Sequence, residues 1–331
     1  MTAAEIAALV ARLAGRRILV VGDLCLDEYL IGTATRLSRE APVPVLEWRE
    51  RRVLPGAAAN PAHNVVALGS QVVTTGVIGA DAAGESLLAE LQRLSIGTDG
   101  VVVDAARPTT TKTRVVAQGA QRFPQHLARI DRLDRRPYND DLIRQLCRHI
   151  DRLAATVDAI LVSDYRGGVV NRDVVAAIQD AARVHGLLTA VDSQGELDKF
   201  KGFGLVRCNA LEAAAQVGWP LATDADSERA LVRLQKELTV RRLVVTRGAE
   251  GVSILAQGGV AQHLAAFNRE EVYDVTGAGD TVSAVLVLAL CAGIDLRTAA
   301  HLAMAAAGLV VRRLGNAVVT PAELVDALAG T

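Results

Sequence analysis

The segment richest in chemistry is Asp274-Val275-Thr276-Gly277-Ala278-Gly279-Asp280-Thr281, placed between an extended stretch and an apolar helix expected from Val282. Two glycines let backbone N–H groups converge without a Cβ in the way, and a helix N-terminus adds partial positive charge. Gly277, Ala278 and Gly279 can therefore hold a phosphate or a developing phosphoryl anion. Asp280, in the first turn, is expected to keep a low pKa and still take the proton of a substrate hydroxyl as its oxygen attacks phosphorus. An aspartate cap after a glycine turn explains the same residues without catalysis.

Gly22-Asp23-Leu24-Cys25-Leu26-Asp27 follows the first expected strand and places two carboxylates where that strand would deliver ligand contacts. Carboxylates there suit paired sugar hydroxyls, although turn or cap aspartates fit the same spacing. Pro55-Gly56-Ala57-Ala58-Ala59-Asn60 is a small-residue loop entering a helix, with Asn64 one turn on. Small side chains let a sugar lie against the backbone, and Asn60 as a plain helix cap is the rival reading. Other phosphate-handling devices are missing from the chain: it has no G-x-x-x-x-G-K-[ST], no G-x-G-x-x-G after the first strand and no H-R-D loop.

The elements that must position these residues follow from composition and periodicity. Half of the 331 residues are apolar but aromatics make up 3%, so the core comes from Leu, Val, Ile and Ala, as in helices packed on a largely parallel sheet. Buried strands are expected at Arg17–Val21, Val72–Ile78, Ala159–Val162, Leu187–Val191, Leu205–Cys208 and Leu243–Thr246, alternating with helices. That alternation predicts an α/β fold with a doubly wound, mostly parallel sheet. Asn60-Pro61 should start a helix ending by Gly69, and Asn171 one ending at Gly186. Asn139–Leu153 reads as an amphipathic helix, whereas Val282–Ala292 and Ala299–Val311 are apolar nearly all round and should be buried. Glu28–Arg49 and Pro108–Asp131 break this rhythm and are expected to pair as a small β lid inserted into one large domain spanning residues 1–331.

With 36 basic and 37 acidic residues the net charge is -1, and no run of five like charges offers a nucleic-acid arm or a membrane-surface patch. A small-molecule partner is expected, with no nucleic acid and no membrane. The longest apolar run, Val282 to Ile294, is shorter than the ~18 residues that cross a bilayer. Glu5 precedes Arg12, Arg16 and Arg17, the reverse of a secretory signal, so a cytoplasmic protein is expected. Cys25, Cys147, Cys208 and Cys291 are too far apart in sequence for a zinc site, and the six histidines form no spaced metal pair.

In this order, the two-aspartate first strand, the loop ending in Asn60, Asn209 with Glu212, Thr246-Arg247-Gly248-Ala249-Glu250-Gly251 and the D-x-T-G-A-G-D loop resemble the ribokinase (PfkB) family of sugar kinases along nearly the whole chain. Within that family the sequence is most similar to the D-glycero-D-manno-heptose 7-phosphate kinases, which make precursors of bacterial surface heptose. Gly22 to Tyr29, Ser38 to Val45, Thr111-Lys112-Thr113-Arg114, Ser163-Asp164-Tyr165 and Glu271-Val272-Tyr273-Asp274 carry that resemblance.

The resemblance implies a ribokinase-like sandwich with a β lid, a homodimer, and in-line transfer of the ATP γ-phosphoryl group to a sugar hydroxyl. It implies Asp280 as the base and Gly277, Ala278 and Gly279 as the anion hole. Asn209 would lie near the nucleotide phosphates, Glu212 would help hold Mg²⁺ through water, and Thr246, Gly248 and Gly251 would line the nucleotide cleft. Asp27, Gly56 and Asn60, with Asp23 a looser match, would contact the sugar. Asp274 matches a monovalent-cation ligand, K⁺ where family members have that site. An acceptor that already carries a phosphate needs a second anion site, for which Lys112, Arg114 and Arg129 are candidates; solvated charges on an exposed strand are the alternative.

Three departures bear on sugar choice. The chain has Gly56-Ala57 for the usual Gly-Gly, Asp192-Ser193-Gln194 for D-P-K, and Arg166-Gly167-Gly168 where a lysine usually follows S-D-Y. Loss of the D-P-K lysine is expected to remove a charge near the ligands. No H-x-G-H motif is present, so no adenylyltransferase half is expected within these residues. A kinase for another sugar, sugar phosphate or nucleoside, and an idle sugar-binding or regulatory module, are the remaining alternatives.

Overall fold

The computed structural model describes residues 2–118, 124–267 and 272–330. Glu271 of the resemblance above lies outside the described residues, as does part of the 108–131 segment. The chain opens with α1 (Ala3–Ala11), β1 (Arg17–Gly22), β2 (Leu24–Leu37), β3 (Pro44–Ala57), α2 (Ala59–Ala67), β4 (Gln71–Gly79) and α3 (Ala82–Arg93). It continues through β5 (Gly97–Asp104), β6 (Thr111–Ala117), β7 (Gln125–Arg132), α4 (Asp140–Ala154), β8 (Ala159–Asp164), α5 (Arg172–His185) and β9 (Leu188–Ser193). Then follow β10 (Leu205–Asn209), α6 (Ala210–Val217), α7 (Asp224–Leu238), β11 (Arg242–Thr246), β12 (Val252–Ala256) and β13 (Gln262–Leu264). Three helices close the chain: α8 (Ala278–Cys291), α9 (Leu296–Val310) and α10 (Pro321–Ala329).

Nine strands form one sheet in the order β13-β12-β11-β10-β9-β8-β1-β4-β5. Neighbours pair parallel except at one edge, where β12 runs antiparallel to both β11 and β13. All six strands expected from the sequence are present. The three that sequence reading did not single out, β5, β12 and β13, lie toward the sheet's edges. Two apolar clusters cover the faces. One is built on α2, α8 and α9, the other on α4, α5 and α7. Asn139 and Asn171 cap α4 and α5 as expected, each accepting a backbone N–H through its side-chain oxygen. Among the described residues no helix is long and apolar enough to cross a membrane.

A second sheet of order β3-β2-β6-β7 forms the lid. Its long strands begin inside the molecule: Leu24, Cys25, Leu26 and Asp27 are buried, whereas residues 34–37 of β2 are exposed. The lid therefore starts at residue 24, not 28, and carries its first turns of strand into the core.

Candidate active site

Gly277 caps α8 with φ +79°, a left-handed conformation that an L side chain adopts at a cost of about 1–2 kcal/mol. A Cβ there would also stand 2.6 Å from Asn60 Nδ2 and 3.1 Å from Asn316 Oδ1. This glycine is the meeting point of the two halves of the site. The helix ladder begins with Thr281 N–H donating to the Gly277 carbonyl at 3.0 Å, so the preceding N–H groups of Gly279 and Asp280 are left for a ligand. The apolar helix starts at Ala278, four residues earlier than the sequence pattern suggested, and Asp280 lies inside its first turn.

Asp280 is not a cap. Its carboxylate is buried and accepts hydrogen bonds from Asn60 Nδ2 at 2.7 Å and from the Tyr165 hydroxyl at 3.0 Å to each oxygen. Asn60 is likewise not the cap expected of it: α2 begins two residues earlier, its N-cap is Ala58, and the Asn60 amide reaches across to Asp280. One turn on, Asn64 Oδ1 accepts the Thr281 hydroxyl at 2.9 Å, so α2 and α8 are joined by two polar pairs. The expected low pKa of Asp280 is wrong. Burial, followed by the nearby Asp192 carboxylate, raises it to about 7, outweighing the hydrogen bonds from Asn60 and Tyr165 and the charge of Arg207.

Asp280, Gly277 and Gly279 line a cavity of about 240 Å³ with Tyr165, Asp192, Arg207, Asn209 and Glu212. Arg207 was not singled out from the sequence, because a lone arginine two residues before Asn209 carries no spacing signal. It is held by Asp192 at 2.8 and 2.9 Å and by the Thr246 hydroxyl at 2.7 Å, and its Nε has no partner. Burial opposes its charge, but Asp192 more than offsets that. Gln194, where D-P-K would place its lysine, lines the same cavity, and the cation found there is Arg207, opposite Asp192 in the pairing of β9 with β10.

Asn209 caps α6 and forms a reciprocal capping box with Glu212, whose Oε2 accepts the Asn209 N–H at 2.7 Å. Burial raises the Glu212 pKa. Thr246 ends β11 opposite Asn209, and Gly248 and Gly251 sit in the turn that follows, all at the carboxyl end of the parallel strands. That edge is where α/β sheets bind ligands.

At the lid root, Asp27 is buried and both its oxygens are engaged: Oδ1 by Arg114 Nη1 at 2.6 Å and Oδ2 by Asn316 Nδ2 at 2.5 Å. Gly56 passes against this carboxylate, and a Cβ there would come within 2.5 Å of Oδ2. Arg114 is not a solvated charge on an exposed strand. It is 6% exposed, with its guanidinium over the Tyr29 ring. Arg129 does stand on an exposed strand, paired with Asp131 at 2.8 Å, and the structure does not bring it to Asp27. Lys112 Nζ lies 4.9 Å from the Tyr165 ring centroid. Asp23 accepts the backbone N–H groups of Tyr165, Gly167 and Val169, so this carboxylate shapes the loop after β8. Asp274 accepts the N–H of Thr276 and of Gly315, which together hold its pKa down despite burial.

Comparison with known proteins matches a model described as pfkB family carbohydrate kinase over residues 16–323. The chain is 38% identical over 312 residues to a protein named "Bifunctional protein HldE" from Pelobacter propionicus, covering 94% of this chain and 63% of that protein. It is 40% identical over 311 residues to the protein of the same name from Geobacter metallireducens, covering 94% of the chain and 62% of the relative. The chain thus spans about three fifths of the length of these curated relatives. Among solved structures it resembles phosphofructokinase-2 from Escherichia coli in complex with potassium (TM-score 0.76, 19% identity, 96% of this chain and 99% of that one). It also resembles ribokinase from Arabidopsis thaliana complexed with ribose and ATP (TM-score 0.70, 20% identity, 95% and 99%). These two likenesses establish a ribokinase-like fold, and the family match over nearly the whole chain establishes the rest: the protein belongs to the pfkB family of carbohydrate kinases, enzymes that phosphorylate sugars with ATP.

Proposed function

We propose that the chain transfers the γ-phosphoryl group of ATP to the anomeric hydroxyl of a heptose 7-phosphate, giving the 1,7-bisphosphate. The observation that carries the catalytic part is Asp280, held by Asn60 and Tyr165 at the mouth of α8 beside unpaired backbone N–H groups. The relatives named HldE, at 38–40% identity, support the sugar.

Asp280 accepts the acceptor's O–H proton as that oxygen bonds to the γ-phosphorus and the bond to the ADP oxygen breaks. The N–H groups of Gly279 and Asp280, with Gly277 and Ala278 shaping the turn, steady the charge on the transferring group. Arg207 lies in the same cavity and adds a guanidinium to that field. A carboxyl with a pKa of about 7 can hold the transferred proton and release it to water after product leaves. Asn209, Thr246, Gly248 and Gly251 line the nucleotide cleft.

Mg²⁺ neutralises charge on the nucleotide phosphates when bound. Among the described residues no cluster of three or more His, Cys, Asp or Glu could hold a metal by itself. Glu212, with one oxygen already bound to its own capping box, therefore suits a water-mediated role toward an ion carried in by the phosphates. Asp274, each oxygen accepting one N–H, keeps lone pairs for a monovalent cation such as K⁺.

Asp27, Gly56 and Asn60 face the sugar, with Asp23 acting through the loop it holds. Lys112, which has no ion-pair partner within 4 Å among the described residues, takes the acceptor's own phosphate, with Arg114 beside it on β6 in support. A cytoplasmic homodimer meeting through the lid fits exposed Leu37, Trp48 and Ile130 on the lid strands.

ADP release assayed on heptose 7-phosphate, heptose, fructose 6-phosphate and ribose tests the reading. Turnover dependent on the heptose phosphate is expected. Preference for another acceptor would replace the substrate, and no turnover on any would point to an idle sugar-binding module.

A further inference from the structure

We propose that Tyr165 and Lys112 form a positioning relay, in which the lysine at the lid root seats the tyrosine ring and the tyrosine hydroxyl orients the Asp280 carboxylate. The relay rests on the reading of Asp280 as the base. Tyr165 follows β8 directly, and its backbone N–H is pinned by Asp23 Oδ2 at 2.9 Å. Its hydroxyl stands 3.0 Å from both Asp280 oxygens, a bridging position that fixes the plane of the carboxylate. Asn60 contacts a single oxygen, so the tyrosine hydroxyl is the donor that reaches both. Burial, then the Asp280 charge, pushes the Tyr165 hydroxyl well above its ordinary pKa, so it stays a neutral donor throughout the working range.

The ring needs a seat of its own. Lys112 extends from β6, opposite Asp27 in the lid register, and sets Nζ 4.9 Å from the ring centroid. No carboxylate competes for that ammonium within 4 Å among the described residues, so it faces the aromatic ring. The other charged groups facing Asp280 are Asp192 from β9 and Arg207 from β10. Neither shares a hydrogen bond with Tyr165: Arg207 is held by Asp192 and Thr246, and Asp192 by Arg207 and Ser283.

The test follows the Asp280 carboxyl by ¹³C NMR in ligand-free, aspartate-labelled protein, the resonance being the one absent from Asp280→Asn. Its midpoint near pH 7 should rise by about one pH unit in Tyr165→Phe, because one donor to the ionised form is gone. Lys112→Met should raise it too, and by less than half as much in the Tyr165→Phe background as alone. The acid limb of kcat/KM for the acceptor should move with these midpoints, while KM for ATP stays put. Should Tyr165→Phe fail to fold, Lys112→Met carries the test, with Lys112→Arg restoring the native midpoint because it keeps the cation over the ring. An unmoved midpoint in Tyr165→Phe, a Lys112→Met shift of full size without the hydroxyl, or no rescue by arginine would overturn the relay. Absence of turnover on every acceptor would count against the proposed function alone, since the carboxyl titration needs no substrate.

Discussion

Replacing Asp280 by asparagine should stabilise the protein while abolishing its activity, and the stabilisation should depend on pH. The carboxyl goes from an ordinary pKa of 3.8 to about 7 on folding. Between those values the folded chain keeps a proton that the unfolded chain has released, so stability falls as pH rises from about 4 to 7 and then levels off. At about 1.4 kcal/mol per pH unit, the buried carboxylate costs the fold about 4 kcal/mol above pH 7. Asparagine is neutral at every pH and keeps an oxygen for Asn60 and Tyr165. Urea unfolding of Asp280→Asn against the native protein should show a gain of about 4 kcal/mol at pH 8, shrinking to about 1 kcal/mol at pH 4.5. Turnover should drop by about 10²- to 10⁴-fold with ATP affinity retained. A gain of equal size at both pH values would refute the reasoning, because it would place the effect in packing instead of in the charge. Near-native turnover would remove Asp280 from the chemistry.

Three further substitutions probe the surroundings. Arg207→Met strips Asp192 of its ion-pair partner, leaving it only the Ser283 hydroxyl, and should cost about 3–5 kcal/mol in urea unfolding, while the acid limb of kcat/KM moves to higher pH because a cation facing Asp280 is lost. Arg114→Met leaves the buried Asp27 carboxylate with Asn316 alone and should cost a similar amount, much of it recovered in Arg114→Met combined with Asp27→Asn. Ala57→Gly should leave the melting temperature unchanged or raised, since Ala57 sits at φ +50°, where relief of about 1–2 kcal/mol outweighs the ~0.4–1 kcal/mol that glycine's looser unfolded chain costs.

The backbone architecture was readable in the sequence because buried parallel strands announce themselves as β-branched runs and helices by their caps. Asn139 and Asn171 did as their type suggests. Asn60 did not, because α2 starts before it and places it inside the first turn, where its Nδ2 donates to a carboxylate 220 positions away instead of its oxygen accepting from the local backbone. The same blindness to distance explains Asp280: its place at a helix start argues for a low pKa, whereas its burial and the Asp192 charge, both products of tertiary packing, push the other way. Arg207 and Asn316 were invisible for a related reason. Each matters through a carboxylate supplied by another strand, Asp192 or Asp27, and no local motif records that pairing.

The lid strands contain a consequence for how the outer flap of this enzyme is set. Arg49 of β3 is an extra residue against Ile31 and Gly32 of β2, and Leu127 of β7 an extra residue against Val115 and Val116 of β6; the two irregularities are level across the lid, Ile31 being opposite Val116. A bulge bends its strand and increases the local twist, so bulges level with one another on the two outer strands mark a crease across the lid. Asp27, Lys112 and Arg114 all fall on the inner side of that line. The outer flap is therefore set at its own angle, while the inner part of the lid continues straight into the body of the molecule.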